Sequence, residues 1–421
     1  MRTLLAACTY SCVALIVGCN SSNTDVNGVD PQLAREIAAI KAIDNHAHPV
    51  RPTSPGEAPD MEFDALPVDH LEPQSDPVQQ RGTSPMVTAA TREIFGADRE
   101  ATVKAHTADY ATFILDKMGV ETMMANRVAM GPGLPSPRFL WVPFVDALMF
   151  PLDNTSLIKT PDQQAFFPLE EKLLARYYKE SGVSGRPATL GEYLDKVVRP
   201  TLERHKQGGA VGEKFELAYL RTLSVGNPSR AEADRAWSGK GDYTALQDYL
   251  FRFIVGECGR LGLVVQIHVA HGGGGYFFTS WANPMNLEPL LNDPTLRKTK
   301  FMMVHGGWPY TRIMTPLLTK PNAYLDFSEQ TAFDTQHNVA EALRGWLAYV
   351  PEKVLFATDA YPFSKELGWE EAGVVGANNA RVALGRALTA MLHDGEITRE
   401  RAVELARMVM RDNAKALYGL K

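Results

Sequence analysis

The chain lacks several features that mark particular classes of protein. It contains no block of like charges, no low-complexity tract and no internal repeat, and its formal net charge of −6 provides no basic footprint for nucleic acid. No glycine-rich dinucleotide turn follows the first apolar strand, and no Lys-Ser/Thr pair follows the glycines at 272–275, so neither dinucleotide binding nor a P-loop is indicated. Hydrophobic residues at 45% and charged residues at 22% are typical of an ordinary globular protein.

Cysteine is scarce as well, with four residues in 421. Cys8, Cys12 and Cys19 all lie in the first twenty residues, so Cys258 is the only cysteine in the rest of the chain. We therefore expect no intrachain disulfide in the folded domain, whose stability must come from its hydrophobic core. Cys258 lies in a predicted helix and is interpreted as a small buried apolar residue rather than as a nucleophile.

The N-terminal residues are typical of an export signal. Met1-Arg2 is a short basic start, and residues 4–18 are mostly apolar but too few to span a membrane comfortably. The sequence Ile16-Val17-Gly18-Cys19 resembles the lipobox of bacterial lipoproteins, which implies cleavage before Cys19 and lipidation of that residue. An ordinary secretory signal and a buried N-terminal helix are the alternatives. A lipoprotein would be anchored in the bacterial cell envelope through its lipid alone, and Asn rather than Asp at position 20 favours the outer membrane.

This interpretation divides the chain into a signal peptide (1–18), a polar tether (19–30) and one globular domain (31–421). Within the domain, eight short apolar segments alternate with stretches of helical periodicity. The first predicted strand runs into His46 and His48, and the others cover residues 120–125, 139–145, 210–219, 263–269, 300–304, 323–327 and 354–358.

Eight short strands separated by helices predict an α/β fold with a parallel sheet inside and helices outside. The count of eight favours a (β/α)8 TIM barrel, which takes roughly 250 residues, so we expect the surplus as insertions after strands one and three. An open doubly wound sheet is the alternative. Residues 49–85, after strand one, are rich in proline and can form neither a regular helix nor a central strand. We hypothesise that they form a lid or part of the substrate pocket.

Chemically versatile side chains recur at the carboxyl ends of the predicted strands. His46 and His48 are one residue apart on strand one, so they point the same way and could bind one metal ion together, although two ordinary polar residues would also suit the end of a strand. The other strand-end candidates are Lys214 on strand four, His268 on strand five, His305 on strand six and Asp359 on strand eight. Catalytic groups gather at this end of a barrel, so the set predicts a metal-dependent active site.

These residue types fit a hydrolytic mechanism. Three or four protein ligands leave a metal an open position for water, and the metal lowers the pKa of that water to about 7. Asp359 fits the carboxylate that accepts the proton of the water and returns it to the leaving group. His305 fits either a metal ligand or a histidine that polarises a carbonyl group.

The arrangement resembles the amidohydrolase superfamily, and in detail its amidohydrolase-related branch. The matching features are the strand-one His-x-His with the preceding Asp44-Asn45, the strand-five His, the strand-six His with its Gly306-Gly307 turn, and the strand-eight Asp. The resemblance implies a metal-dependent barrel, usually with zinc, whose members hydrolyse C–N or ester bonds or, in some cases, decarboxylate. It also implies the metal ligands His46, His48, His268 and Asp359, with His305 as a second-metal ligand or a catalytic residue.

Lys214 has three interpretations. By the resemblance, it stands about where two-metal members carry a carboxylated lysine that bridges the ions. An unmodified lysine would instead be a cation that binds a substrate carboxylate, or an ordinary surface residue. Glu213 and Glu216 are candidates to substitute for it.

Several residues after the strand ends could form the substrate pocket. Tyr219 and Arg221 follow strand four, and an arginine can hold a carboxylate through two hydrogen bonds. His271 begins a glycine-rich loop after strand five, and Trp308 follows strand six. For each of these residues, packing alone is the simpler explanation.

Together, these observations predict a metal-dependent hydrolase that uses a metal-activated water on a C–N or ester bond of a small molecule. The alternatives are a one-metal decarboxylase on the same site and a non-catalytic lipoprotein that only binds metal or ligand. We expect one or two divalent metal ions, zinc by the resemblance, although the ligands would also accept manganese, iron or nickel. A small-molecule substrate is the expected partner, and no nucleic-acid partner is expected.

Overall fold

The computed structural model describes residues 27–53, 56–67, 80–364 and 366–421. The predicted signal peptide, Cys19 and most of the tether lie outside these residues, as do positions 54–55 and 68–79 of the proline-rich insertion. Within the described ranges, no helix has the length and apolar character required to cross a membrane. Cys258 is a free thiol and is fully buried, as expected.

Eight parallel strands follow one another in chain order and form an α/β fold of the TIM-barrel type. They are β1 (Ala42–Ala47), β2 (Val120–Asn126), β3 (Phe139–Val142), β4 (Gly212–Phe215), β5 (Val264–His268), β6 (Phe301–Val304), β7 (Ala323–Asp326) and β8 (Val354–Leu355). The first three strands pair as one sheet and the last five as a second sheet. All eight predicted strands are present, but β4 is shorter than predicted because a helical turn at Leu217–Leu220 replaces its end.

Hydrogen bonds connect the two sheets at both junctions. Two isolated bridges join the segments around β3 and β4. At the other junction, the Asn45 amide donates to the carbonyl oxygen of Phe356 over 3.0 Å, and the Asp359 amide donates to that of His46 over 2.9 Å. The ends of the first and last strands are therefore adjacent, which brings His46 beside Asp359.

Helices surround the strands and fill the insertions. Before β4 they are α1 (Pro31–Ala38), α2 (Pro85–Phe95), α3 (Arg99–Ala105), α4 (Tyr110–Met118), α5 (Pro161–Glu180), α6 (Leu190–Tyr193) and α7 (Arg199–Gln207). After β4 they are α8 (Leu217–Leu220), α9 (Arg230–Trp237), α10 (Tyr243–Leu261), α11 (Glu288–Leu291), α12 (Met314–Leu318), α13 (Gln330–Phe333), α14 (Gln336–Leu347), α15 (Trp369–His393), α16 (Arg399–Arg407) and α17 (Asn413–Tyr418). The predicted insertions after strands one and three are confirmed, since α2–α4 and α5–α7 lie in them.

Two stretches of helical periodicity, residues 88–118 and 377–420, are each divided in the structure. Residues 88–118 contribute to α2, α3 and α4, because Gly96 ends the first helix with a φ of 62° and Asp98 caps the start of the next. The C-terminal region 377–420 is interrupted at Gly395, which has a φ of 71°.

The last helix closes the end of the barrel opposite the strand-end histidines. An apolar cluster joins residues from several strands to Ala414 and Leu417 of α17. Its members Ile43, Val264 and Met302 lie at or near the starts of their strands, whereas the predicted metal ligands follow strand ends. This packing places the C-terminal turn of the chain beneath the candidate site.

Candidate active site

A small cavity of about 60 Å³ lies at the carboxyl ends of the strands. It brings together all six residues predicted at the strand ends, which are His46, His48, Lys214, His268, His305 and Asp359. The remaining lining residues are Asp64, Glu216, Tyr219, Gly273, Glu329, Tyr361 and Phe363. A cavity of this volume accommodates a few waters, or a metal ion with its water, but not a typical small-molecule substrate.

His46 is held by a hydrogen-bond network that fixes its tautomer. The side-chain nitrogen of Gln266 donates to the Asn45 carbonyl oxygen (2.8 Å) and to the Tyr418 hydroxyl (2.9 Å). The side-chain oxygen of Gln266 accepts a hydrogen bond from Asn126 Nδ2 over 2.8 Å and faces His46 Nδ1 at 3.2 Å. Because that oxygen can only accept, we assign the proton of His46 to Nδ1 and the lone pair to Nε2.

His48 and His268 are oriented by main-chain carbonyl groups. His48 Nδ1 lies 3.0 Å from the carbonyl oxygen of Phe63, so this nitrogen carries the proton. His268 Nε2 lies 2.9 Å from the carbonyl oxygen of Ala270, so in this ring the proton is on Nε2. His48 Nε2 and His268 Nδ1 are therefore left with lone pairs. The fixed tautomer is the arrangement found in metal-bound histidines.

The residues after β7 fix the orientation of His305. Ser328 Oγ lies 2.8 Å from His305 Nδ1 and 2.5 Å from Asp326 Oδ1, so one hydroxyl bridges the imidazole and a buried carboxylate. His305 and Gly306 both have positive φ values, 71° and 59°. A Cβ atom at Gly306 would lie 2.4 Å from Gln330 Nε2, so the turn after β6 requires glycine at this position.

His46, His48 and Asp359 converge on one point. Asp359 Oδ1 lies 3.2 Å from His46 Nε2 and 3.6 Å from His48 Nε2. Burial lowers the pKa of each histidine to about 3, so both are neutral near pH 7, and burial raises the pKa of the Asp359 carboxyl. Two nitrogen lone pairs thus face one carboxylate oxygen. Lys214 Nζ, 3.3 Å away, faces the lone pair of His46, whereas the contact between His48 Nε2 and Asp359 Oδ1 is repulsive unless a cation or a proton lies between them.

Part of the proline-rich insertion forms a wall of the cavity. Asp64 lines the cavity, and Phe63 supplies the carbonyl group that orients His48. A bidentate ion pair anchors this segment, since Arg127 Nη1 and Nη2 each lie 2.9 Å from a carboxylate oxygen of Asp60. Both of these side chains are completely buried. Residues 56–67 therefore contribute to the pocket as predicted, whereas the remainder of the predicted lid includes positions outside the described residues.

Lys214 is not a surface residue, so that interpretation is wrong. It is 1% exposed, and its Nζ lies 3.3 Å from His46 Nε2. Glu213 cannot substitute for it, because consecutive strand residues point to opposite faces and Glu213 lies 3.1 Å from His205 Nδ1, away from the cavity. Glu216 does line the cavity, and burial raises the pKa of its carboxyl well above the usual range.

Glu329 is a cavity residue absent from the sequence-based prediction. It follows β7, and its Oε2 is buried without a hydrogen-bond partner in the described part of the chain. That atom lies 3.8 Å from His305 Nδ1. Burial and the nearby charge of Asp359 raise the pKa of the Glu329 carboxyl well above its usual range. The sequence does carry a signal for Glu329, because this carboxylate lies just past an apolar strand. The same criterion selects Asp359.

Three of the four predicted substrate-binding residues lie outside the cavity. The guanidinium of Arg221 lies 2.8 Å from Asp248 Oδ1, so its charge is already paired. His271 and Trp308 pack together with ring centroids 6.0 Å apart, and neither lines the cavity. Tyr219 does line it. The simpler packing interpretation therefore describes Arg221, His271 and Trp308 as they stand in this structure.

Solved structures from other organisms share this fold over nearly the whole chain. A proposed metal-dependent hydrolase from Lactobacillus casei is 17% identical with a TM-score of 0.61, over 92% of this chain and 97% of that one. A glucuronate isomerase from Caulobacter crescentus is 15% identical with a TM-score of 0.58, over 93% of each chain. A uronate isomerase from Thermotoga maritima is 15% identical with a TM-score of 0.56, over 92% and 96%. Similarity at these identities shows the fold alone.

Family assignment rests on the sequence. A search of curated proteins gives no significant match. The family description named amidohydrolase matches residues 189–420, which is more than half of the chain. The matched region contains four of the six predicted strand-end residues, Lys214, His268, His305 and Asp359. The chain therefore belongs to the amidohydrolase family.

Proposed function

We propose that this protein is a metal-dependent hydrolase that uses a metal-activated water to cleave a C–N or ester bond of a small molecule. The observation that carries the proposal is the position of Asp359 Oδ1, which lies 3.2 Å from His46 Nε2 and 3.6 Å from His48 Nε2. Membership of the amidohydrolase family supports a metal-dependent enzyme.

The residues present fit a divalent cation, for which we propose zinc. His46 and His48 direct their protons away from the cavity and their lone pairs toward Asp359, and His268 contributes another ring to the cavity. A cation among these groups would replace a repulsive contact by ligation. When bound, the metal would supply hydroxide near neutral pH. Manganese, iron or nickel would suit the same ligands.

The protein's own groups would move the proton. Asp359 lies at the centre of the ligand set, so its carboxylate is placed to accept a proton from the attacking water and to deliver it to the leaving group. Lys214, buried beside His46, would hold an anionic group of the substrate or, if carboxylated, would serve as a further ligand.

A decarboxylase on the same site is the second candidate. The observation that favours it is the position of Lys214, because an unmodified ammonium buried in the cavity suits a substrate carboxylate. Removal of carbon dioxide from the buffer separates the two candidates. An enzyme with a carboxylated lysine should lose activity and regain it with bicarbonate, whereas an unmodified lysine should be indifferent.

We also propose that the proline-rich insertion closes over the site during turnover. The cavity of about 60 Å³ is far smaller than the several hundred Å³ of typical ligand pockets, so a movement of its wall would make room for substrate. Asp64, in the insertion, belongs to that wall. Deletion of residues 55–77 should therefore alter kcat or KM, and unchanged kinetics would contradict the proposal.

Export and lipidation at Cys19 remain part of the proposal. They are supported by the lipobox-like sequence Ile16-Val17-Gly18-Cys19. Metabolic labelling with a radioactive fatty acid should label the wild-type chain in a bacterial host, and Cys19→Ser should abolish the label. Equal labelling of both chains would show that Cys19 is not the lipidated residue.

The decisive test of the hydrolase is metal content together with activity. Elemental mass spectrometry of the purified wild-type protein should detect a divalent metal that is lost in the His46→Ala/His48→Ala double variant. Hydrolysis of a panel of esters, lactones and amides should be lost in parallel. If the wild type binds no metal after reconstitution with zinc and with manganese, the proposed function is wrong.

A further inference from the structure

Four buried carboxyl groups lie together beside the cavity, and we call them the acidic cluster. Asp64 and Glu216 line the cavity and are close enough to share a hydrogen bond. Asp146 and Glu170 lie behind them. The main-chain amide of Glu216 donates to Asp146 Oδ2 over 2.8 Å, and the charges of Asp146 and Asp64 both act on Glu170. Each of the four residues is at most 5% exposed.

Most oxygen atoms of the acidic cluster face no hydrogen-bond donor. Among the described residues, both carboxylate oxygens of Glu170, together with Asp146 Oδ1 and Glu216 Oε2, are buried without a hydrogen-bond partner. The cluster forms no ion pair with a lysine or an arginine in that part of the chain, and its one charged-type contact there is the distance of 3.8 Å between Asp64 Oδ1 and the neutral ring of His48. Buried carboxyl groups are ordinarily paired, so this arrangement indicates a missing partner.

Protons occupy the acidic cluster when no cation is bound there. Burial raises the pKa of Asp146 to about 7, and burial together with the charges of Asp146 and Asp64 raises the pKa of Glu170 well above its usual range. Within the described ranges the cavity has a single cationic side chain, Lys214, whose ammonium lies 3.3 Å from His46 rather than in an ion pair with the cluster. The cation that would replace these protons must therefore come from a ligand.

The spacing of the acidic cluster favours an organic cation over a metal ion. In the described part of the chain, both sets of three ligand atoms that lie within 4.8 Å of one another include Asp359, and neither includes a member of the cluster. Oxygen ligands lie about 2.0–2.6 Å from a hard divalent metal and must crowd around it. Carboxylates accept hydrogen bonds from an ammonium or guanidinium group at about 2.7–2.9 Å, so they can lie farther apart. The several N–H donors of such a group would also satisfy several of the unpartnered oxygens.

We propose that the substrate carries a protonated amine or guanidine, which the acidic cluster binds while the scissile bond lies at the proposed metal ligands. Asp64 and Glu216 would accept hydrogen bonds from the cation, and Asp146 and Glu170 would add negative charge behind them. Asp64 and Glu216 line the same cavity as the metal ligands, so one molecule can reach both. This inference rests on the proposed function, to which it adds a substrate class, small amides or esters that bear a positive charge.

Matched pairs of substrates test this inference on the full chain with its metal. N-aminobutylacetamide ends in an ammonium group, and N-pentylacetamide has a methyl group in its place. Homologues with shorter and longer chains, and the corresponding acetate esters, are assayed in the same way. For the wild type we expect kcat/KM to be about 10–100-fold higher for the cationic member of the best pair, the range expected of hydrogen bonds to charged groups.

The variants are compared by this ratio, because a general loss of activity does not change it. Glu216→Gln should bring the ratio close to unity, and Glu170→Gln should lower it, since each removes a negative charge and preserves the shape of the side chain. The matched control is Glu171→Gln, at the adjacent, exposed position of α5, which should keep the wild-type ratio.

Binding without turnover separates this inference from the proposed function. The n-butylammonium ion has no bond to hydrolyse, and calorimetry should detect its binding to the wild type and to Glu171→Gln but not to Glu216→Gln. The neutral counterpart n-butanol should not bind. Binding of n-butylammonium without hydrolysis of any substrate would support the cation site and contradict the hydrolase.

Two results would overturn the inference. Equal kcat/KM for the cationic and neutral members of every pair would overturn the substrate class and leave the hydrolase proposal intact. Absence of n-butylammonium binding to the wild type would show that the acidic cluster holds protons only. Should Glu216→Gln fail to fold by circular dichroism, the wild-type ratio and the ratio for Glu170→Gln decide.

Discussion

Gln266 has no direct place in the cavity, yet its replacement should affect both folding and metal binding. The side chain is fully buried and makes four hydrogen bonds of 2.8 to 3.2 Å. Gln266→Met preserves the approximate shape but leaves at least two buried donors, His46 Nδ1 and Asn126 Nδ2, without this acceptor. Each unsatisfied buried group costs about 1–3 kcal/mol. The free energy of unfolding should therefore fall by about 2–6 kcal/mol, a large part of the roughly 5–15 kcal/mol of a typical domain.

The same substitution should weaken metal binding, because the tautomer of His46 is no longer fixed. Changes to groups that orient metal ligands typically lower affinity about 10–100-fold. Urea unfolding in the presence of a chelator, followed by circular dichroism, measures the stability, and competition with a chromogenic chelator measures the affinity. The control is Gln207→Met on an exposed position of α7, which should change stability by less than about 0.5 kcal/mol. A loss below about 1 kcal/mol for Gln266→Met with unchanged affinity would refute the assigned network.

Three further predictions concern the surroundings of the cavity. Arg127→Met removes the bidentate partner of the buried Asp60, so the free energy of unfolding should fall by about 3–5 kcal/mol. Proteolysis within residues 56–67 should accelerate, and an unchanged digestion pattern would contradict the anchoring role of this ion pair. Burial raises the pKa of Asp146 from 3.8 to about 7, so the folded protein keeps a proton that the unfolded chain releases. The metal-free wild type should therefore lose stability relative to Asp146→Asn as the pH rises from about 4 to about 7, by up to about 4 kcal/mol in urea unfolding. A difference in unfolding free energy between the two proteins that does not change with pH would be inconsistent with this burial effect. Tyr418→Phe removes a hydroxyl that donates to Asn45 Oδ1 over 2.7 Å, so the midpoint of urea unfolding should fall by the equivalent of about 1–3 kcal/mol. An unchanged midpoint would show that α17 does not support the site.

The strand-end residues could be predicted because a parallel barrel constrains them strongly. A short apolar run identifies a buried strand, and its carboxyl end must lie at the same edge as the ends of its neighbours. His46, His268, His305 and Asp359 each directly follow or end such a run, and the structure places all four in one cavity. The fold class followed from the same pattern, since eight strands separated by helical segments have few other parallel arrangements.

The rest of the site depends on loop conformation and on side-chain pairing, which periodicity does not report. Asp64 reaches the cavity only because Asp60 and Arg127 anchor an irregular segment. Arg221 follows β4 at a suitable position, but Asp248 from a distant helix pairs with it. Glu329 is different, because it lies just past β7 and so meets the criterion that selected Asp359, although the sequence-based prediction does not include it.

Gln266 is a different case, because alternation on β5 already places it on the same face as His268. What the sequence does not show is the set of partners that it meets. The partners come from β1, β2 and α17, three elements that are far apart in the chain.

The hydrogen bond from Tyr418 to Asn45 joins residues 373 positions apart, and Tyr418 also contacts the glutamine that orients His46. His46, the first of the proposed metal ligands, therefore acquires its final orientation only after both ends of the domain have docked. Contacts of such long range form late in folding, because a large loop must close before they are made. Binding of an ion at His46 would thus depend on folding of the whole barrel rather than on local structure around β1. Its presence should slow hydrogen exchange in β1 and α17 together, although only β1 contributes a ligand.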